Sequence, residues 1–377
     1  MNKEHTPETN AKSPIPKKKS QGRKWKAGIG LLMAAFLLQI LARRLSGFGQ
    51  WYAVTVYPIL VRVIGGMFGL FPFSVAELGL YAFLVGIVLL GIFRIQKGLK
   101  CGLAGELKKL ASEVFLILSF LAFSYTANCG VNYYRQPFSA YLDLEVRDSS
   151  ADELEELCIL LKERLEESAG ELLAEWGTLV PSHKVQRGFA RQARADMKKL
   201  KGDYSCLSAA YPVPKPVLVS EILSVQSLSG IYAPFTIEAN YNQDMTAYNI
   251  PHTACHELSH LSGFMREEEA NFIGYLACVG SDSLYSRYSG YAAGFLYVNN
   301  ALFRQRPGEA LKLYGELPKE VLADFRENSR FWKRYEGRIA EASTKINDTY
   351  LKANSQADGV KSYGQVVDLL LAYYRER

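Results

Sequence analysis

Three of the chain's five histidines fall within nine residues, in the run Pro251-His252-Thr253-Ala254-Cys255-His256-Glu257-Leu258-Ser259-His260. The core of that run, His256 to His260, is the HExxH pattern. Side chains four apart on a helix project from one face, so His256 and His260 can bind one ion. Glu257 reaches the edge of the same site, where it can take a proton from a zinc-activated water. The spacing therefore predicts a Zn2+ site with His256 and His260 as ligands and Glu257 as general base.

A catalytic zinc needs a third protein ligand and an open position. Seven residues beyond His260 stands Glu267-Glu268-Glu269-Ala270-Asn271, which reads as the start of a second helix. Glu267 and Glu269 are the alternatives for the third ligand, because they point about 200° apart on a helix. Asn271 is placed to hydrogen-bond a ligand histidine. His252 lies one further four-residue step back, and each such step drifts about 40° around the helix, so it is expected to line the pocket or cap the helix. Tyr285, Arg287, Tyr288 and Tyr291 follow the glutamate helix. That cluster either packs, as tyrosines in such positions more often do, or supplies a donor to the oxyanion of a tetrahedral intermediate, with Tyr288 as the candidate near the substrate.

Certain elements must hold these groups. Asn249 and Pro251 signal the start of the HExxH helix, Gly263 its stop, and Leu258 and Leu261 anchor its other side. The second helix must then run back after a tight turn. Upstream, Phe235 to Tyr241 reads as a strand, either an exposed sheet edge that could hold a peptide or a plain buried strand. Helices are expected over 151–177, from His183 to Lys201, and over 251–262, 266–280, 309–327, 328–350 and 363–375. The fold class that results is an N-terminal α-helical transmembrane region plus a mostly helical α+β, zincin-like soluble domain with a small sheet.

Of the 377 residues, 49% are hydrophobic and 22% charged, and the mean hydropathy near zero averages two unlike halves. This excludes a disulfide scaffold, a disordered chain and a coiled coil. Six cysteines show no CxxC pair. Residues 1–26 read as a basic, disordered cytoplasmic tail, and residues 27–128 as a transmembrane region. Spans are expected near 27–45, 75–93 and 111–128. Residues 46–74 are either interfacial or a further span, because Pro58, Arg62 and Gly65-Gly66 interrupt their apolar run. The basic loop 94–109 should share the cytoplasmic side with the N-terminus, which puts residues 129–377 outside. The formal charge of +6 is explained by this topology, and no nucleic-acid partner is expected.

The order GIYAPFTIEANYN, CHELSH, EEEANFIGYLAC and YSGY, behind hydrophobic N-terminal spans, resembles the bacterial membrane proteins grouped as domain of unknown function 3810. HExxH followed by Glu-x-x-Ala-Asn is also similar, more distantly, to the gluzincin peptidases, including the ImmA/IrrE type and the membrane-embedded CAAX-prenyl-protease type. That likeness implies His256, His260 and Glu267 as zinc ligands and Glu257 as base. The chain departs from it in having Asn271 where many such enzymes have Asp, and in the short interval between the motifs.

The expectation is a multi-pass protein of the bacterial cell membrane with an extracytoplasmic zinc-hydrolase-like domain at 129–377. It would be a zinc metallopeptidase whose partners are the lipid bilayer and a peptide or protein substrate. The alternative is a non-catalytic membrane-anchored sensor or scaffold with a structural or vestigial zinc site.

Overall fold

A computed structural model of the chain describes residues 18–147, 150–208, 210–354 and 365–375. Four helices are long and apolar enough to cross a membrane: Gln21–Arg44, Phe48–Phe68, Val75–Cys101 and Leu103–Tyr134. Two compact units divide the chain. One holds the described residues up to Phe36 with Leu84–Phe123, and the other holds Leu37–Phe83 with Ser124–Arg377.

In the smaller unit, Lys24 and Arg94 both bind the Glu113 carboxylate, and Arg94 and Lys109 share Glu106. The basic N-terminal stretch and the basic 94–109 stretch thus meet. Two boundaries differ from expectation. Helix α1 runs Lys18–Arg44, so residues 18–26 of the expected disordered tail are helical. Past Pro16 this stretch contains no proline, and its Lys, Arg and Gln are good helix formers that extend the apolar run. Residues 1–17 of that tail lie outside the described residues. The loop 94–109 is also mostly helix, because Val75–Cys101 and Leu103–Asn128 meet at Gly102. Gly102 has φ +104°, a left-handed turn that suits glycine.

In the larger unit, α2 (Phe48–Phe68) contains two π-helical stretches, Tyr52–Val56 and Val61–Gly65. Its buried residues Ala53, Tyr57, Val61 and Gly65 repeat every four positions. A plain α-helix would rotate such a row by about 40° per step, and the wider π turns absorb that drift. Both ends of α2 pack against later parts of the same unit. At one end a side chain on Gly49 would strike the Tyr134 backbone, and Tyr52 Oη donates to the Ala127 carbonyl at 2.9 Å. At the other, a side chain on Gly69 would meet Pro212.

The remainder is mostly helical. After α3 (Val75–Cys101) and α4 (Leu103–Asn128) come α5 (Ala151–Trp176) and α6 (Phe189–Asp203). The C-terminal layer is α7 (Asn249–Leu261), α8 (Glu267–Val279), α9 (Leu284–Gln305), α10 (Pro307–Gly315), α11 (Lys319–Lys333), α12 (Arg338–Ala353) and α13 (Val366–Arg375). Helix α9 was not anticipated, and the expected 309–327 helix is split between α10 and α11. Between α6 and α7 lies a three-stranded sheet of order β1-β3-β2, with β1 at Lys215–Pro216, β2 at Gly230–Ala233 and β3 at Glu238–Tyr241. Strand β3 pairs in parallel with β1 and antiparallel with β2, Gly230 opposite Tyr241 and Ala233 opposite Glu238.

Candidate metal centre

Helix α7 is buried almost throughout, with Ala254, Cys255, Leu258 and Leu261 in the core. It stops where expected. Gly263, at φ +89°, takes the left-handed conformation, and its N–H reaches the His260 carbonyl at 2.8 Å. Helix α8 then returns against α7. A Cβ on Gly274 would stand 3.1 Å from the His256 backbone nitrogen, so glycine permits the close approach. This approach accommodates the seven-residue interval between His260 and Glu267.

The three donors converge. His256 Nε2 lies 3.1 Å from His260 Nε2 and 3.4 Å from Glu267 Oε2, and His260 Nε2 lies 3.7 Å from Glu267 Oε1. Ligands about 2.05 Å from a tetrahedral zinc stand about 3.3 Å apart, so these separations, taken to one or other Glu267 oxygen, are close to what a small divalent ion needs. Protonation sharpens the fit. The Phe264 carbonyl can only accept, so the 2.8 Å contact puts the His260 proton on Nδ1 and leaves its Nε2 bare. His256 Nδ1 likewise meets Asn271 Oδ1 at 2.8 Å, the position foreseen for Asn271. With Nδ1 of each ring engaged, the two Nε2 atoms and the Glu267 carboxylate face one another, an arrangement that a cation would satisfy. The side chains present fit a divalent ion.

Burial dominates the electrostatics of these groups. It pushes the Glu257 carboxyl up to about 8 and His260 down to about 4. At His256 burial pulls the value down, but the hydrogen bond and charge of Glu267 outweigh it, and the net shift is upward. A dication among them would hold the ligands deprotonated.

The other candidates separate clearly. Glu269 is buried and accepts the Phe138 N–H at 2.8 Å, so of the two alternatives Glu267 is the one at the donor triangle. His252 lines the cleft with Nε2 3.2 Å from the Asn271 carbonyl, and burial lowers it to about 4. Tyr288 is not at the cleft. Its hydroxyl donates to Asp324 Oδ2 at 2.7 Å, because α9 turns that face into the core. Tyr285 stacks on Phe189, and Arg287 pairs with Glu171. Of the two readings of the upstream strand, the buried one holds. Residues Glu238–Tyr241 form the central, fully buried strand, and the turn before them holds Ile237 at φ +50°. The edge at the cleft is β2.

Residues 52–371 match the profile of a family described as a protein of unknown function, DUF3810. The chain belongs to that family. No curated protein and no solved structure matches it. The DUF3810 match runs from within α2 to within α13, so it takes in all the donors described above.

In this DUF3810 member the donors open onto a cleft of about 870 Å³. One wall is the 226–232 stretch that leads into β2. The other includes Ser343, Thr344, Asn347 and Tyr350 of α12, with Tyr125 from the end of α4. Sequence reasoning missed two residues here. A Cβ on Gly230 would come within 2.8 Å of Glu257 Cγ and Cδ, so the glycine makes room for that carboxylate. Tyr297 Oη donates to Asn271 Oδ1 at 3.1 Å and so steadies the group that orients His256. A glycine at a strand start is a weak positional signal, and nothing in the sequence marks Tyr297.

Proposed function

We propose that this DUF3810 chain is a membrane-anchored zinc metallopeptidase that hydrolyses peptide bonds. The reading is carried by one observation: two imidazole nitrogens and a carboxylate spaced for one tetrahedral ion at the floor of a cleft, with Glu257 beside them. His256, His260 and Glu267 would hold the ion. When bound, zinc would supply Lewis acidity at the cleft floor.

The chain's own residues do the rest. Strand β2 pairs with β3 along one side, and Gly230, Ile231 and Tyr232 line the cleft. An extended peptide would add to β2 through main-chain hydrogen bonds. Glu257, set against Gly230, would accept the proton of the attacking water and deliver it to the leaving amine. Its burial supports that role, since a carboxylate raised toward neutral pH is matched to moving a proton there.

We place residues 129–377 outside the bacterial cell membrane, with three crossings by α1, α3 and α4. This rests on α2 being held on the domain at both ends, and on the basic groups gathered at Glu106 and Glu113. A structural zinc site is closed by four protein ligands, whereas three donors at a cleft leave a position open, which favours catalysis over the scaffold alternative.

The test is paired. The purified full chain should hold one zinc per molecule and cleave an unstructured casein substrate. His256→Ala should lose the metal, and Glu257→Gln should keep it while activity falls at least about 1,000-fold. Casein hydrolysis by Glu257→Gln at the wild-type rate would refute the assignment.

A further inference from the structure

Three buried charges sit where the sheet meets the elbow between α2 and α3. Glu238, Lys215 and Glu77 are 2%, 4% and 8% exposed. The Lys215 ammonium pairs with Glu238 and donates to the Phe68 carbonyl at 2.7 Å, at the last residue of α2. Glu238 accepts the N–H groups of Val75 and Ala76 at 3.3 and 2.7 Å, at the first turn of α3. Glu77 on that same turn accepts the N–H groups of Leu218 and Val219 at 2.7 and 2.9 Å. The loop after β1 is therefore fixed by hydrogen bonds to the end of an apolar helix of 27 residues.

That loop is apolar and uncovered. Leu218 is 54% exposed, Val219 46% and Ile222 41%, while Leu70 in the neighbouring elbow reaches 83%. Glu221 is the sole charged residue between Pro216 and Val225. The outer face of α2 continues the pattern with Trp51, Val54, Ile59, Val63 and Met67 exposed. Arg62 on that helix has a stem long enough to carry its charge to the polar layer. An apolar surface this long on a monomer marks an interaction site. Its attachment to α3 fixes which one: residues hydrogen-bonded to the first turn of a crossing helix lie at the depth where that helix enters the lipid.

We propose that the Leu218–Ile222 loop, with the elbow and the outer face of α2, inserts into the headgroup layer of the bilayer that α3 crosses. Interfacial helices bury their apolar face about 5–10 Å into that layer. The register Ala233 opposite Glu238 sets one end of the cleft's edge strand beside this clamp, so the strand meets the lipid surface. This inference does not use the metal or the peptidase reading.

The test reads depth. The full chain is reconstituted into phosphatidylcholine vesicles with and without acyl chains brominated near the headgroup. Emission added by Leu218→Trp, by Ile222→Trp and by a control, Leu311→Trp on α10, is compared with wild type, and Trp51→Phe reports the native indole on α2 without adding bulk. Bromination should quench the signals of positions 218, 222 and 51 at least twofold and leave position 311 unchanged. Loop signals as unquenched as the control overturn the proposal even if Trp51 is quenched, and quenching of the control to the same degree overturns it as well.

Discussion

Two buried clusters of charge in the larger unit invite comparison. At the elbow, Lys215, Glu238 and Glu77 are matched group for group: ammonium to carboxylate and to a carbonyl, carboxylate oxygens to four backbone N–H groups. At the cleft floor, His256, His260 and Glu267 are just as polar and nearly as buried, yet two imidazole nitrogens and a carboxylate converge within 3.1 to 3.7 Å of one another. Burial of charge is common to both. What differs is the geometry. The elbow cluster fastens parts of the fold together through backbone groups, whereas the converging set has the spacing on which the proposed ion site rests.

The sharpest way to break that contrast is to unbalance the elbow. Lys215→Met leaves Glu238 buried without its cation and should cost about 3–5 kcal/mol of stability, with most of it recovered in Lys215→Met/Glu238→Gln. Thermal unfolding checks this, and zinc content per folded molecule should not move. A single variant as stable as wild type would show the elbow cluster is not a fastening.

Next comes the cleft. Gly230→Ala must push Glu257 aside while leaving the three donors in place. Displacement of about 1 Å can cost about 100-fold in rate, so turnover should drop by that order with zinc stoichiometry unchanged. Equal loss of metal and turnover would place the damage at the donors instead. Asn271→Ala removes the acceptor that orients His256. It should weaken zinc binding about 10–100-fold in competition with a chelator, while His252→Ala, one step further back, should change it far less.

The smallest effect concerns another carboxylate, one only partly buried. Asp324, bonded to Tyr288, is raised from 3.8 to about 6 by burial. The folded state therefore binds the extra proton between those values, and stability falls as pH rises from about 4 to 6. Asp324→Asn should stabilise the protein by about 1–2 kcal/mol at pH 8, after allowance for the partly exposed site, and by nothing at pH 4. Melting curves at the two pH values decide it.

The convergence of His256, His260 and Glu267 was more legible than the architecture around it. Four-residue spacing and a glycine stop suffice to place His256, His260 and the turn toward Glu267, because they are local consequences of helix geometry. The substrate-side edge was not legible. Phe235 to Tyr241 has the better strand composition, yet Ile237 takes a left-handed φ that a β-branched residue disfavours, and the chain turns there instead. Helix α9 escaped because Gly290 and Gly294 weaken helix propensity; in the fold they admit Cys278 and Tyr275 at close range. Tyr288 was misplaced for the same reason, since without α9 nothing said which way it faced.

The four-residue repeat on the inner face of α2 carries a consequence for sidedness. Hydropathy alone counts this stretch with the crossing helices, and each added crossing reverses the compartment of everything downstream. If this stretch lies on the outer face, as proposed above, it contributes no crossing and the parity becomes odd. On that reading some 250 residues, the cleft included, would owe their address to two widened turns that let one stretch of chain lie down rather than pass through.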